Sequence, residues 1–193
     1  KELIERARAI AEKQKTSGGK TGTKNLPTFD VRKSDHLLEV PSGTYDAALI
    51  ISAIQNIEEV GGTFAEAKRV LKHDGKLIIV MNHPAFRVPQ HSDWVYNEIT
   101  KKQSRAVDMY LSEKRIDIVM NPGAPAHKQV TTPSFHRSLQ YYSKMLMKHG
   151  FAITKIEEWN SHKESGKGPR KEAEDIARKE IPLFMMIQAE QIK

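Results

Sequence analysis

A chain of 193 residues, 38% hydrophobic and without cysteine, is long enough for one domain with a real core and excludes disulfides and thiolate metal sites. No run reaches the length of a membrane span, and no charged, apolar and small-residue series marks a secretory signal at the start, so a soluble cytoplasmic protein is the expectation. The net charge of +7 would favour an anionic partner, but the lysines are spread along the chain and read as solvated faces.

In chain order, Lys1 to Lys15 predicts a helix with Leu3, Ile4, Ala7, Ile10 and Ala11 on one side. Thr16 to Asn25 is polar and glycine-rich. Its Gly19-Lys20-Thr21 suggests a phosphate loop, but Gln14 stands where the earlier glycine belongs and a helix precedes it, so it reads as a loop. Leu26 to Arg32 predicts a short strand, and Pro41-Ser42-Gly43 a turn.

Tyr45 to Pro84 is the centre of the pattern. Two apolar runs, Ala47 to Ile51 and Leu77 to Met81, flank a helix expected over Phe64 to Leu71, which reads as two buried parallel strands with a crossover. Thr63 and Glu66 have capping-box spacing, and Gly75 suits a left-handed turn after His73-Asp74. Ligands of open parallel sheets lie beyond the carboxyl ends of the strands, which directs attention to Ser52–Ile57 and Asn82–Arg87.

Beyond Pro84, residues 85–133 show no clean period over most of their length, and read as an inserted lid or acceptor-binding segment within a single domain spanning 1–193. Ser138 caps a helix stopped by Gly150. Phe151 to Trp159 predicts a strand. A helix opened by Pro169 follows, with Glu174 placed to pair with Arg178 and Asp175 with Lys179, and then a last strand, Leu183 to Ala189.

Asp46 opening a strand, the rim Ser52-Ala53-Ile54-Gln55-Asn56-Ile57, the phrase Ala67 to Leu77 and His83-Pro84 resemble the later half of a class I S-adenosylmethionine-dependent methyltransferase. Phe135 to Tyr142, His149-Gly150-Phe151 and Glu157-Glu158-Trp159 are similar to the end of its small-molecule type-11 branch. The resemblance implies a Rossmann-like α/β sheet, mostly parallel with an antiparallel C-terminal strand. It implies methyl transfer from S-adenosylmethionine to a small-molecule acceptor, with an RNA or protein methyltransferase, or a non-catalytic subunit needing a partner chain, as alternatives. It also implies that the first βαβ portion, with its glycine-rich cofactor loop, is missing from this chain. That portion is then left to a longer polypeptide, to a second chain or self-association completing the sheet, or to a rearranged fold.

Residue by residue, the resemblance places Asp35 and the His36 amide at the adenine, Ser52 and Ala53 beside the methionine part, and Ile54 and Asn56 near the transferable methyl. A proton-bearing acceptor needs a base, and histidine titrates near neutrality. His83 leads as the residue at a strand's carboxyl end, and His136 follows. Phe86, Arg87, Trp94, Tyr110, Arg137 and Tyr141 are candidates for the acceptor pocket, whereas aromatics at helical spacing, Tyr142 above all, also suit a core. His91 and His127 fall in polar stretches and read as solvent-exposed, and no metal-ligand spacing is present.

Overall fold

In the computed structural model, residues 2–16 and 27–192 are described, with side chains for 4–12 and 27–192. The expected parallel pairing is there: β1 (Tyr45–Ile51) runs parallel to β2 (Leu71–Asn82), with Ala48 opposite Leu77 and Ile51 opposite Val80, but β1, expected to be buried, is an edge strand among the described residues and leaves Leu49 and Ile51 mostly exposed. Between them α2 (Val60–Val70) crosses over, burying Val60, Phe64, Ala67 and Val70 at helical spacing.

Two local expectations fail here. The helix starts at Val60, not beside Phe64, so Thr63 lies inside it and no side chain caps its start. Thr63 instead donates to Glu59 O at 3.1 Å, and Glu66 accepts from Leu37 N and pairs with Arg69. Gly75 is not left-handed, the positive-φ glycines being Gly43 and Gly150 among the described residues. His73-Asp74-Gly75 belong to β2, in an irregularity between the pairings Tyr45 with Leu71 and Ala47 with Lys76. Glycine is required there by contact: an added Cβ would stand 2.9 Å from Lys72 O.

The sheet order is β1-β2-β8-β7, where β7 is Phe151–Trp159 and β8 is Phe184–Gln191. β8 runs antiparallel to both neighbours, so only the β1–β2 pairing is parallel and the expected mostly parallel sheet is a mixed one among the described residues. The reason lies in α4 (Lys171–Glu180), which packs on a neighbouring hairpin and not across the sheet as a crossover helix would. The antiparallel C-terminal strand is as expected. Asp175 pairs with Lys171 and accepts from Ser165 N, in place of the expected pairing with Lys179.

Helix α3 (Leu139–Lys148) starts as expected, Ser138 Oγ accepting from Tyr141 N at 3.3 Å, and ends at Gly150 with φ +77°. Its Tyr142 and Leu146 join Phe64, Leu77, Ile79, Phe151 and Ile187 in one core, each side chain of that type contributing about 1.5–3 kcal/mol on burial.

Helix α1 (Glu2–Thr16) agrees with the expected span. Gly19-Lys20-Thr21 and the rest of the expected loop beyond Thr16 lie outside the described residues. The described part of Leu26 to Arg32 is irregular and not a strand, held by side chains such as Arg8, whose Nε donates to Phe29 O at 3.1 Å. Residues 34–40 dock on α2 through Ser34 Oγ and Thr63 Oγ1 at 2.9 Å, and through Arg69 donating to Leu37 O and Val40 O.

Residues 85–133 carry regular structure that their sequence hides. β3 (Ser92–Asn97) pairs with β4 (Lys102–Val107), and β5 (Lys114–Val119) with β6 (Thr131–His136), both antiparallel. In β3 the inward side chains are Ser92, Trp94 and Tyr96 while Val95 faces out, half exposed, so polar and apolar residues share each face and the period of two is blurred.

Candidate active site

β1 stops where Ser52 takes a left-handed φ of +50°, its N–H still donating to Val80 O at 2.7 Å. The chain then enters a 3₁₀ turn, Ile54–Asn56, anchored by a fully buried Ile54. Ile54 therefore belongs to the core, which corrects the expectation that it borders a transferable methyl. With Ile54 pointing inward, Gln55 lines a cleft, and Asn56 is exposed and donates through Nδ2 to Pro133 O at 2.8 Å.

That cleft lies at the carboxyl end of β2. Its walls are Gln55, Met81, Asn82, Pro84, Arg87 and Pro89 on one side, and Ser134, Phe135, His136, Arg137 and Tyr142 on the other. Its cavity volume is about 30 Å3, room for roughly two waters, within about 320 Å3 of space that includes open solvent. Three of the expected site residues, Arg87, His136 and Arg137, meet there.

The two histidines differ. His83 is buried, and Ala85 N donates to its Nδ1 at 3.2 Å, so the ring proton sits on Nε2 and is given to Glu158 Oε1 at 2.8 Å. Phe86 packs on its ring at a centroid distance of 4.7 Å. Both nitrogens are thus engaged, and His83 is not among the cleft-lining residues. His136 gives its Nε2 proton to Tyr110 O at 2.8 Å, since a carbonyl can only accept, which leaves Nδ1 as the ring's acceptor.

The arginines are structural clasps as well as walls. Arg137 donates to Ile57 O at 2.8 Å and Glu58 O at 2.7 Å, with its guanidinium over Phe135 and Tyr141. Arg87 donates to Asn82 Oδ1 at 2.8 Å and stacks on Phe184, and burial pulls its pKa below the ordinary value. Tyr142 has its phenol pushed up to about 12 by burial, so it stays neutral.

Other expected residues are placed elsewhere. Trp94 lies under Arg105 in the first hairpin. Tyr110 uses its hydroxyl to accept from Leu139 N at 3.0 Å, and Tyr141 meets Tyr142 edge to face. Ser52 and Ala53 form an exposed ledge at the end of β1. Asp35 is packed so closely on Gly62 that a Cβ there would come within 2.8 Å of its own Cβ, and the His36 amide is occupied by Lys33 O at 3.2 Å. His91, expected exposed, is half-buried between Asp108 (2.5 Å from Nδ1) and Lys114 (2.8 Å from Nε2), joining the two hairpins, whereas His127 is exposed as expected.

Gln55 and Asn82 fell within the stretches the sequence pointed to but were given no role there, and Ser134 was not singled out. Gln55 stands between two residues that were, and the available signal was the apolar Ile54: once that residue is turned into the core, its successor in a tight turn points away from it.

A methyltransferase-domain family model matches residues 1–79. No curated protein matches the chain. Among solved structures, the S-adenosylmethionine-dependent methyltransferase of Mesorhizobium loti is 21% identical with TM-score 0.68, over 98% of this chain and 76% of that one. A Listeria monocytogenes protein assigned to the same class is 20% identical with TM-score 0.67, over 96% and 76%. One from Methanosarcina mazei is 13% identical with TM-score 0.57, over 99% and 78%. Together with the parallel β1–β2 unit and the antiparallel β8, these likenesses assign the chain the class I S-adenosylmethionine-dependent methyltransferase fold.

Proposed function

We propose that this chain transfers a methyl group to a small-molecule acceptor held in the cleft between the end of β2 and β6. The observation that supports this most is the lining of that cleft at a strand's carboxyl end by a histidine whose one proton is spent on Tyr110 O. S-adenosylmethionine, when bound, supplies a methyl group on positively charged sulfur. Asp35, Ser52 and Ala53 are the residues that would hold it: a carboxylate able to accept from an amino group, and an exposed ledge at the β1 terminus, fit its polar groups.

His136 Nδ1 is the group that takes the acceptor's proton, and its tautomer is fixed by the bond to Tyr110 O. Arg137 ties the rim to the start of α3, Asn56 ties it to β6, and together they hold the two walls of the cleft in place. Residues 85–133 act as the acceptor-binding lid. Among the described residues no helix is long and apolar enough to cross a membrane.

Calorimetry with S-adenosylmethionine, paired with release of S-adenosylhomocysteine, tests the proposal. Heat with His136→Ala comparable to the parent chain and turnover lower by roughly 10²–10⁴ is the expected outcome. No heat from the parent chain at millimolar cofactor rejects activity of this polypeptide alone.

A second reading has its own observation. β1 pairs only with β2 among the described residues, and Leu49 and Ile51 beside its other edge are 59% and 60% exposed. A partner chain or second copy completing the sheet there would make this chain one part of the working protein; sedimentation of the purified chain, alone and with S-adenosylmethionine, separates the readings.

A further inference from the structure

A second cavity opens at the carboxyl end of β7. Trp159 and Asn82 both pair with Phe184, so the loop that leaves β7 emerges at the same end of the sheet as the cleft, yet the two cavities share no lining residue. This one lies between that loop and α4 and measures about 610 Å3, a volume that suits a small organic molecule.

The charge around it does not balance. Lys171, Asp175, Arg178 and Lys179 fall on one face of α4, since Asp175 has a lysine four residues away on either side and Arg178 three residues on. The loop adds Lys163 and Glu164, so four lysines and arginines stand against two carboxylates. Asp175 is already committed. It accepts from Lys171 Nζ and from Ser165 N–H, the latter at 2.8 Å, and these bonds hold its carboxyl at about 2. Lys163, Arg178 and Lys179 enter no ion pair among the described residues.

The same bonds organise the cavity. Ser165 is buried in an otherwise mostly exposed loop, with its N–H given to Asp175 and its Oγ accepting from Arg178 Nε at 3.2 Å. The loop is thereby clamped over α4. The half-buried Arg178 guanidinium is fixed through one nitrogen, while its two terminal nitrogens have no partner among the described residues. A guanidinium so held, beside a lysine and without a counter-charge of its own, is matched by an oxyanion that accepts from the open side of its fork.

We propose that this cavity binds a small phosphate monoester, with the phosphate at Arg178, Lys179 and Lys163 and the organic part filling the remaining space. Four cations against two carboxylates leave an excess of two, which a phosphate monoester, carrying about −1.5 to −2 at neutral pH, offsets more fully than a single carboxylate. The volume is far more than a bare phosphate needs. The site goes beyond the methyl-transfer reading and does not rest on it.

The experiment titrates phenyl phosphate, inorganic phosphate and benzyl alcohol onto the full chain, following backbone amides of residues 161–165 and of α4 in nitrogen–proton NMR spectra. Phenyl phosphate is expected to move those signals, to bind at least roughly fivefold more tightly than either other probe, and to weaken as salt is raised. Lys179→Gln is expected to weaken it by roughly tenfold and Arg178→Gln by roughly ten- to a hundredfold, the worth of hydrogen bonds to a charged group. Lys144→Gln, which removes the same charge from the exposed side of α3, is expected to leave the affinity within about twofold. No movement of the loop and α4 signals, binding of inorganic phosphate as tight as that of the ester, or an equal loss in Lys144→Gln overturns the proposal. Lys179 and Lys144 are both exposed, so this comparison does not depend on Arg178→Gln folding. Heat from S-adenosylmethionine is read separately, so the failure of one reading is distinguishable from the failure of the other.

Discussion

The four-stranded sheet with α2 and α3, and the two hairpins of residues 85–133, are held together by different physics. In the first, large apolar side chains such as Phe64, Leu77 and Leu146 have no exposed surface, and the register follows from burying them. In the second, Val88 is the only large apolar side chain that is fully buried, while Val95, Ile99, Leu111 and Met120 are half exposed or more. The hairpins are instead fastened by polar clasps: Arg105 to Phe86 O and Ser92, Asp108–His91–Lys114, Arg170 over Tyr96 and onto Glu98, and Asn56 to Pro133 O. Apolar burial is non-directional and cooperative, whereas each clasp opens singly, so the half of the cleft made by the hairpins is the adjustable one.

The contrast can be broken at its strong end first. Phe64→Ala removes a core ring and is expected to lower stability by about 3–5 kcal/mol in denaturant melts, against less than about 0.5 kcal/mol for Val95→Ala in the hairpin. A loss of similar size at both positions would dissolve the distinction.

Next comes Arg137, which belongs to both regions. Arg137→Ala leaves Ile57 O and Glu58 O without their donors and is expected to cost about 2–3 kcal/mol, with Arg137→Lys restoring only part because an ammonium lacks the planar fork.

Glu66 sharpens the comparison through pH. Hydrogen bonding to Arg69, with a further bond from Leu37 N–H, holds its carboxyl at about 2. A carboxylate with a depressed folded-state value contributes stability that is full above its ordinary 4.5 and is lost as pH falls towards about 2. Glu66→Gln is expected to lower stability by about 1 kcal/mol at neutral pH and to flatten that acid limb, read from melting temperature between pH 6 and 2.

Smallest is Asn56→Ala, expected to cost about 0.5–1 kcal/mol and to speed hydrogen exchange in β6 while leaving β2 unchanged. Faster exchange in both would show that the hairpins and the sheet open together.

Sequence legibility divided along the same line. The parallel β1–β2 unit, the crossover, the Ser138 cap and the Gly150 stop depend on residues close in the chain, and unbroken apolar runs such as Ala47 to Ile51 announce strands without outside help. Hairpins whose faces mix Ser92 with Trp94, or Gln103 with Arg105, carry no such signal, because polar and apolar side chains alternate on neither face cleanly and are held by hydrogen bonds such as Arg105 to Ser92. The site divided likewise. Arg87, His136 and Arg137 could be nominated from their positions beside strand and helix ends, but a nomination by residue type does not say where a proton sits. Only the tertiary arrangement gave His83 to Glu158 and Ala85 and turned Ile54 into the core.

By itself the sequence determined that two apolar runs separated by an amphipathic helix form a parallel unit, since the helix supplies the crossover that a parallel pairing needs. Tertiary structure decided which way the last strands return and which histidine keeps an unprotonated nitrogen. The histidine protons are settled by partners 26 and 75 positions away, Tyr110 O for His136 and Glu158 for His83, which spacing within a short stretch does not encode.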